Sequence, residues 1–308
     1  MSRTAFVDLM SPAYALSWAL RQQDPTEATP TMFPSLNAIC GDDGGGIGLA
    51  PDWFVTIGGG TNQGKSLLAQ NMAAHAMKQG RKIGFMSLEM SHHQLTGRFY
   101  AMMTGTPIKS LERGRFDERA YQAVDARLWD AAGKVGTPSF YVNSDPLENI
   151  EDVMAAAFRM RDDGVNLIVL DYLQLVGTGD DESIYKQVTQ VAGNMRRFAH
   201  KEGVCVLALS QYNTPTGRDT ESRPTMYGLM GGGTVANNSD LVLLLDHSRY
   251  KRDRYDRKMA RTFVLVAKNR HGETGEIRIA WDYHCLQVRE AQREEYQDWE
   301  ADKFKADK

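Results

Sequence analysis

The sequence predicts an α/β fold in which a mostly parallel central sheet is flanked by helices. Three observations lead to this prediction: short apolar runs recur along the chain, amphipathic helical patterns separate them, and a glycine-rich segment follows the first run. Strands that are apolar throughout and alternate with amphipathic helices are typical of a parallel sheet buried on both faces. A chain of 308 residues is long enough for one large domain of this kind.

The apolar runs define six predicted strands. They occupy residues 53–57, 83–86, 167–170, 204–209, 241–245 and 263–267. Apolar side chains at helical spacing predict amphipathic helices over residues 150–158 and 184–198. Two later segments, 276–280 and 285–288, are close enough in sequence to pair as a C-terminal β-hairpin.

Three parts are expected along the chain. Residues 1–34 form a lead-in with a short linker helix over residues 12–21, because Ser11 suits an N-cap and Pro12 the first helical position. Residues 35–290 form the main domain, and residues 291–308 form a charge-dense tail.

Composition and charge exclude several classes of protein. The net charge is −3, so any contact with nucleic acid must come from a local patch and not from overall charge. No apolar run approaches the roughly 18 residues that a membrane span needs, and the N-terminus has no signal-peptide core. We therefore expect a protein with no membrane association, located in the cytoplasm, or in the host cytoplasm if its source is viral.

A glycine-rich segment carries the strongest motif. Residues 59–66 read GGTNQGKS and match the pattern G-x-x-x-x-G-K-[ST] between a predicted strand and a predicted helix. Glycines let backbone N–H groups surround phosphates, and the helix N-terminus adds a positive dipole. We expect Lys65 to reach the β- and γ-phosphates of ATP and the Ser66 hydroxyl to bind Mg²⁺. The predicted nucleotide-binding residues are Gly59, Gly60, Thr61, Asn62, Gln63, Gly64, Lys65 and Ser66.

Three polar residues stand at the ends of other predicted strands. Asp171 closes the run 167–170 in the pattern of a Walker B carboxylate, so we expect it to hold Mg²⁺ together with Ser66. Glu89 follows the strand after the P-loop helix and is the candidate that polarises the attacking water. Gln211 follows the run 204–209 and is a candidate sensor of the γ-phosphate. Ligands of α/β folds bind at such strand ends.

Two long cations, Lys268 and Arg270, stand at the tip of the apolar run 263–267. On the local sequence alone they are either ordinary solvated residues of a strand end or are aimed at a negatively charged group.

Several motifs occur together in the order of one known family. They are GGTNQGKS, SLEM at 87–90, LDYLQLV at 170–176, ALSQYN at 208–213, NNSDLVLLLD at 237–246 and AKNRHGETGEIRIAWD at 267–282. Over roughly residues 35–290, the chain resembles the RecA-like motor domain of DnaB-type replicative helicases. SLEM, DYLQL and the K-x-R-x-G element are more specific to this family than the P-loop.

The resemblance implies an ATP- and Mg²⁺-dependent homo-oligomeric ring, usually of six subunits, that translocates on single-stranded DNA during replication. It also implies that Lys268 and Arg270 act in the nucleotide site of a neighbouring subunit, with Arg270 as the arginine finger. Such fingers accelerate hydrolysis by about 10³–10⁵. We expect no counterpart of the family's helical N-terminal domain, and no fused primase, because the sequence has no Cys/His zinc cluster. A separate primase and a helicase loader stay open as partners.

The segment expected to face DNA departs from the family pattern. Family members usually carry charged residues there, whereas residues 227–234 read YGLMGGGT. We expect this loop to lie on the nucleotide side and to contact DNA through the backbone N–H groups of Gly231, Gly232 and Gly233. Arg196 and Arg197, on the preceding predicted helix, would add positive charge nearby.

Two other interpretations stay open at this point. A RecA-type recombinase or recombination mediator shares the fold and the P-loop, although DYLQL and K-x-R-x-G argue against it. A nucleotide-gated DNA-binding ATPase that never unwinds would not need Glu89 and Arg270. The basic residues 249–261 are expected in a solvated hairpin loop, and His92 and His93 on the surface.

Overall fold

The computed structural model describes residues 28–40, 48–115, 117–135, 140–143, 147–177, 183–212, 223–252 and 259–292, and the structural statements below concern these residues. The predicted linker helix at 12–21 lies outside them, as do most of the C-terminal tail and residues 253–258 of the predicted hairpin loop. Within the described ranges, no helix is both long and apolar enough to cross a bilayer.

Nine strands of the described chain form one sheet. In chain order they are β1 (Phe54–Gly59), β2 (Ile83–Ser87), β3 (Phe140–Val142), β4 (Leu167–Asp171), β5 (Cys205–Gln211), β6 (Leu241–Arg252), β7 (Met259–Asn269), β8 (Gly275–Asp282) and β9 (Gln287–Glu290). Across the sheet their order is β3-β2-β4-β5-β1-β6-β7-β8-β9. The strands from β3 to β6 in this order pair in parallel, and those from β6 to β9 pair antiparallel.

The predicted α/β architecture is confirmed. Each of the six apolar runs is a strand, most strand pairs are parallel, and β8 and β9 form the expected C-terminal hairpin. The sequence did not predict β3, because three residues are too few to establish a periodic pattern.

Helices cover both faces of the sheet. They are α1 (Pro34–Ile39), α2 (Lys65–Lys78), α3 (His92–Thr104), α4 (Ile108–Leu111), α5 (Glu118–Val135), α6 (Ile150–Asp162), α7 (Ile184–Glu202) and α8 (Gly232–Asn238). A hydrophobic core lies on each face of the sheet, and alternate residues of β4 point into one or the other. Leu167 and Val169 pack with α2 and α3, whereas Ile168 and Leu170 pack with α6 and α7. A fully apolar strand is therefore what this two-sided burial requires.

The parallel half of the sheet has two distinct edges. At its carboxyl edge β1 ends at Gly59, β4 at Asp171 and β5 at Gln211. The strand β7 runs antiparallel to β6 and ends at the amino edge. Its last residue, Asn269, pairs with Leu241 at the start of β6. Strands of about six residues that rise roughly 3.3 Å per residue place these edges roughly 17–20 Å apart.

The segment before β6 differs from the prediction of a loop over residues 227–234. A 3₁₀ turn, Met226–Gly228, is followed by the helix α8, which begins at Gly232. The start of this segment lies at the carboxyl edge, as expected, because the Met230 N–H donates to the Gln211 carbonyl at 2.8 Å. From there the segment runs through α8 to Asp240 at the amino edge, so only its beginning lies on the nucleotide side. The prediction failed because glycines were taken as a loop signal, whereas Gly231 supplies the positive φ of 90° at the N-cap of α8.

Asp240 contacts several groups at the amino edge. Its buried carboxylate accepts a hydrogen bond from the Phe54 N–H at 2.9 Å. The same carboxylate lies 3.5 Å from Arg270, 3.6 Å from His200 and 4.0 Å from Arg196. One acid thus fixes the start of β1 and draws three basic side chains to this edge.

Replacing Asp240 tests this arrangement. We expect Asp240→Ala to lower the free energy of unfolding by about 1–3 kcal/mol, because the buried Phe54 N–H loses its acceptor. Asp240→Asn is the control, since its amide oxygen can still accept that bond, and it should lose less. Urea unfolding followed by circular dichroism measures both variants. An Asp240→Ala protein as stable as the parent would show that the carboxylate does not hold this edge.

Candidate nucleotide site and interface cations

The P-loop connects β1 to α2 at the carboxyl edge. Gly64, the N-cap of α2, has a φ of 93°, and Asn62 has a φ of 60°. The Lys65 ammonium donates to the Gly60 carbonyl at 2.9 Å, and the Gly60 N–H donates to the Gln63 side-chain oxygen at 2.5 Å. The loop is therefore closed by its own polar groups, with the lysine folded along it.

The side chain of Trp281, on β8, packs against the P-loop at Gly64. It is fully buried, and a Cβ atom added at Gly64 would lie 2.9 Å from the indole ring. Gly64 is therefore required twice, by its backbone conformation and by this close approach. The motif alone gave no sign of the second requirement, because Trp281 is more than two hundred residues away in sequence.

His247 is a second contact that the sequence analysis missed. Its Nε2 lies 2.8 Å from the Gln63 carbonyl, to which it donates a hydrogen bond. Burial lowers the pKa of His247, which favours the neutral ring. His247 stands two residues after the predicted strand 241–245, as Gln211 stands two residues after the run 204–209, so the strand-end argument that selected Gln211 could also have selected His247.

Asp171 has the properties of a metal-binding carboxylate. It is 1% exposed, and among the residues that the structure describes neither of its oxygens has a hydrogen-bond partner of good geometry. Burial raises its pKa to about 6, and the nearby Ser66 hydroxyl, Lys65 and Arg98 oppose this rise. A carboxylate in such surroundings is stabilised by a cation. The hydroxyl of Ser66 and the carboxylate of Asp171 are both hard oxygen donors, so this pair fits Mg²⁺.

Lys65 and Glu89 belong to the same electrostatic group. Burial lowers the pKa of Lys65, and the negative charges of Asp171 and Glu89 oppose that shift. The Leu88 N–H donates to the Asp171 carbonyl at 3.0 Å, which places the exposed Glu89 beside the end of β4. The structure thus brings the predicted phosphate-binding lysine, metal ligand and base together.

Gln211 touches the P-loop directly. Its side-chain amide donates to the Thr61 hydroxyl, and its backbone N–H donates to the Gln174 side chain at 3.3 Å. Gln174 also donates to the Ser210 hydroxyl at 3.1 Å. A residue of the LDYLQLV segment therefore holds the candidate sensor against the phosphate-binding loop.

Arg98 of α3 is a further group that sequence reasoning missed. Its Nε donates to the buried Gln70 side chain at 2.9 Å, and its charge acts on Asp171. Burial lowers the pKa of Arg98, and Asp171 opposes that shift. It lies within an ordinary amphipathic helix pattern, so nothing in the local sequence distinguishes it from a surface arginine.

Lys268 and Arg270 lie apart from this group, at the amino edge. The Lys268 ammonium donates to the Ala236 carbonyl at 2.7 Å, near the C-terminal end of α8. Arg270 donates to the Ser239 carbonyl at 3.2 Å and to the Asn237 carbonyl. The distance along the strands, from the amino edge to the carboxyl edge, separates both cations from the P-loop of their own chain. This distance is greater than a side chain can reach.

The structure separates the residues predicted to contact DNA. Gly231, Gly232 and Gly233 form the start of α8 at the carboxyl edge. Arg196 instead donates to the Asn237 carbonyl at 3.1 Å, at the other end of this helix, and the exposed Arg197 donates to Asn194 at 2.6 Å. Seven helical residues span about 10 Å. Arg196 therefore does not add charge beside the glycines.

The comparison with protein families identifies the fold. Residues 30–290 match the model of the DnaB-like helicase C terminal domain. The chain belongs to the DnaB-like helicase family. This assignment agrees with the resemblance seen in its motifs and does not favour the recombinase interpretation.

Curated members of the DnaB-like family are similar over most of the chain. Identity is 26% over 256 residues to the replicative DNA helicase DnaB of Leifsonia xyli subsp. xyli, covering 82% of this chain and 53% of that protein. It is 28% over 249 residues to a probable plasmid replicative DNA helicase of Chlamydia trachomatis, covering 80% and 51%. The chain spans about half the length of the curated relatives it matches.

Solved structures show the same fold. One, an isolated ATPase domain, aligns with a TM-score of 0.72 at 18% identity, covering 94% of this chain and 100% of that one. The structure of a DnaB-like replicative helicase and its interactions with primase aligns with a TM-score of 0.71 at 18% identity, covering 92% and 68%. These matches confirm the predicted RecA-like fold.

Two substitutions separate nucleotide binding from hydrolysis. Lys65→Ala should lose binding of ATP and Mg²⁺, because it removes the only cation of the P-loop. Glu89→Gln should keep binding but lose turnover, since the amide has nearly the same shape and cannot accept the proton of the attacking water. Binding is measured with a fluorescent ATP analogue and turnover by phosphate release. Hydrolysis by Glu89→Gln at the parent rate would rule out Glu89 as the base.

Proposed function

We propose that this chain is the ATP-driven motor of a ring-forming DNA helicase, which hydrolyses ATP and translocates on single-stranded DNA during replication. One observation carries the proposal. The P-loop, Asp171 and Glu89 lie at the carboxyl edge, whereas Lys268 and Arg270 lie at the amino edge. A site that needs all of them is complete only where the amino edge of one subunit meets the carboxyl edge of the next.

The nucleotide groups of one chain divide the work of hydrolysis. In this proposal, the P-loop N–H groups and Lys65 bind the phosphates of ATP, and Ser66 and Asp171 hold Mg²⁺, which neutralises phosphate charge. Glu89 accepts a proton from the attacking water, and Gln211, which touches Thr61, responds to the γ-phosphate.

The neighbouring subunit supplies the remaining charge. Arg270 would stabilise the negative charge that develops on the γ-phosphate, and Lys268 would act beside it. The Arg270 side chain is 36% exposed, so it is accessible to another subunit while it remains anchored to Asp240. A head-to-tail contact of this kind repeats around a closed ring, and a hexamer with a separate primase and a helicase loader is the assembly that we propose.

DNA would bind along the carboxyl edge, where α8 begins. Gly232 and Gly233 are half-buried there and carry no side chain, so a phosphate chain can approach their backbone. The expected N–H contacts are reduced, because Gly231 is buried against Val188 and Val235 and the Gly232 N–H already donates to the Leu229 carbonyl at 2.6 Å. Residues 226–238 contain no lysine or arginine. Because few cations take part, the affinity for single-stranded DNA should fall only gradually with salt.

The direct test is ATP hydrolysis with and without single-stranded DNA, together with strand separation on a forked duplex. We expect single-stranded DNA to stimulate hydrolysis and the protein to separate the fork. We also expect Gly232→Asp to abolish the stimulation, because its carboxylate would repel phosphate beside the DNA strand.

Gly232→Asn is the matched control for that variant. Asparagine has the size of aspartate and tolerates the positive φ of 48° at this position, but it carries no charge. It should keep most of the stimulation. A wild-type protein whose hydrolysis ignores DNA would contradict the proposed motor, and full stimulation of Gly232→Asp would remove this segment from the DNA contact.

A further inference from the structure

Two exposed tyrosines lie beside the start of α8. Tyr227, in the 3₁₀ turn Met226–Gly228, is 72% exposed, and Tyr185, in the first turn of α7, is 51% exposed. These are the two most exposed tyrosines in the part of the chain that the structure describes. Single exposed apolar side chains are common, but exposed ones that lie together can form a binding surface.

Both rings lie against bare backbone. A Cβ atom added at Gly233 would lie 3.8 Å from the Tyr227 ring, and one added at Gly232 would lie 4.0 Å from the Tyr185 ring. The Tyr185 hydroxyl is 3.0 Å from the Thr234 hydroxyl. Both rings therefore lie beside the same glycines, on one surface of the protein. The hydrogen bond to Thr234 fixes the hydroxyl end of Tyr185.

The 3₁₀ turn that carries Tyr227 contacts the strand end of the nucleotide site. Tyr212, next to Gln211, pairs with Leu229, and a Cβ atom added at Gly228 would lie 3.4 Å from the Tyr212 ring. The Met230 N–H donates to the Gln211 carbonyl. A ligand on the two rings would thus bear on the strand that carries the candidate γ-phosphate sensor.

We propose that Tyr185 and Tyr227 form a stacking platform for the bases of single-stranded DNA. The proposal rests on the proposed function and adds a base contact to it. The ligand must offer flat apolar surfaces, because the rings are exposed. It must also bind with few cations, because residues 226–238 lack lysine and arginine and residues 184–187 carry only Lys186. Unpaired bases meet both conditions, and each base has a face that can stack on an aromatic ring.

The platform fits single strands and not duplex DNA. Bases within a duplex are already stacked on one another, so their faces are not available to a tyrosine ring. Stacking is also insensitive to sequence, because every base has such a face. This chain would therefore replace charged contacts at the start of α8 with aromatic ones.

The test compares two probes of equal length, a fluorescent thymidine oligonucleotide and the same sugar-phosphate chain without bases. Anisotropy titrations use the full chain with an ATP analogue that is not hydrolysed. Wild type should bind the thymidine probe at least about fivefold more tightly than the abasic probe. Tyr227→Leu and Tyr185→Leu should each weaken thymidine binding at least about fivefold and leave abasic binding unchanged.

Two further variants separate stacking from other roles. Tyr185→Phe keeps the ring but loses the hydrogen bond to Thr234, and it should bind thymidine like wild type. Tyr121→Leu changes a tyrosine on α5 that is 47% exposed, and it should have no effect on either probe. Thermal unfolding confirms that each variant is folded before titration.

Each outcome has a distinct meaning. Tyrosine variants that bind thymidine like wild type, or that weaken both probes equally, would overturn the platform while leaving the proposed motor intact. A wild-type protein that binds neither probe would contradict the proposed function itself. Thymidine binding that depends on both rings, with abasic binding that does not, supports the platform.

Discussion

The direction of the strands in the sheet is the constraint on which the rest of the structure depends. Strands that pair in parallel end at one edge, so the P-loop, Asp171 and Gln211 meet there. β7 runs antiparallel to β6, so its end carries Lys268 and Arg270 to the opposite edge. The separation of the two groups is therefore a property of the topology, which no side-chain rotation can remove.

The segment from Met230 to Asp240, which contains the short helix α8, connects these two edges. At its start, the Met230 N–H donates to the carbonyl of Gln211, whose side chain touches the P-loop. At its end, the carbonyls of Ala236 and Asn237 accept hydrogen bonds from Lys268 and Arg270. In the proposed ring, a displacement at the start of α8 would therefore affect both Gln211 and the two cations that we propose act in the next subunit.

The sequence was sufficient to predict the sheet and the groups at its carboxyl edge. Apolar runs mark buried strands, and the strand-end argument then places Asp171, Glu89 and Gln211 beside Lys65. Trp281, His247 and Arg98 could not be found in the same way, because their roles arise from tertiary contacts between distant segments. The start of α8 was mistaken for a loop, since glycine serves both in turns and as the residue that precedes a helix. Which cations meet which carbonyls also depends on packing, as Arg196 shows.

The central claim is that each complete site is shared by two subunits, and subunit mixing tests it most directly. Lys65→Ala and Arg270→Ala proteins should each be inactive alone, because one damages the carboxyl edge and the other the amino edge. Mixed rings should regain hydrolysis, since one kind of contact pairs an intact P-loop with an intact Arg270. A mixture of Lys268→Ala and Arg270→Ala should gain nothing, because both defects lie on the same edge. If no ratio of the first pair restores hydrolysis in rings shown to exchange subunits, the shared site is contradicted.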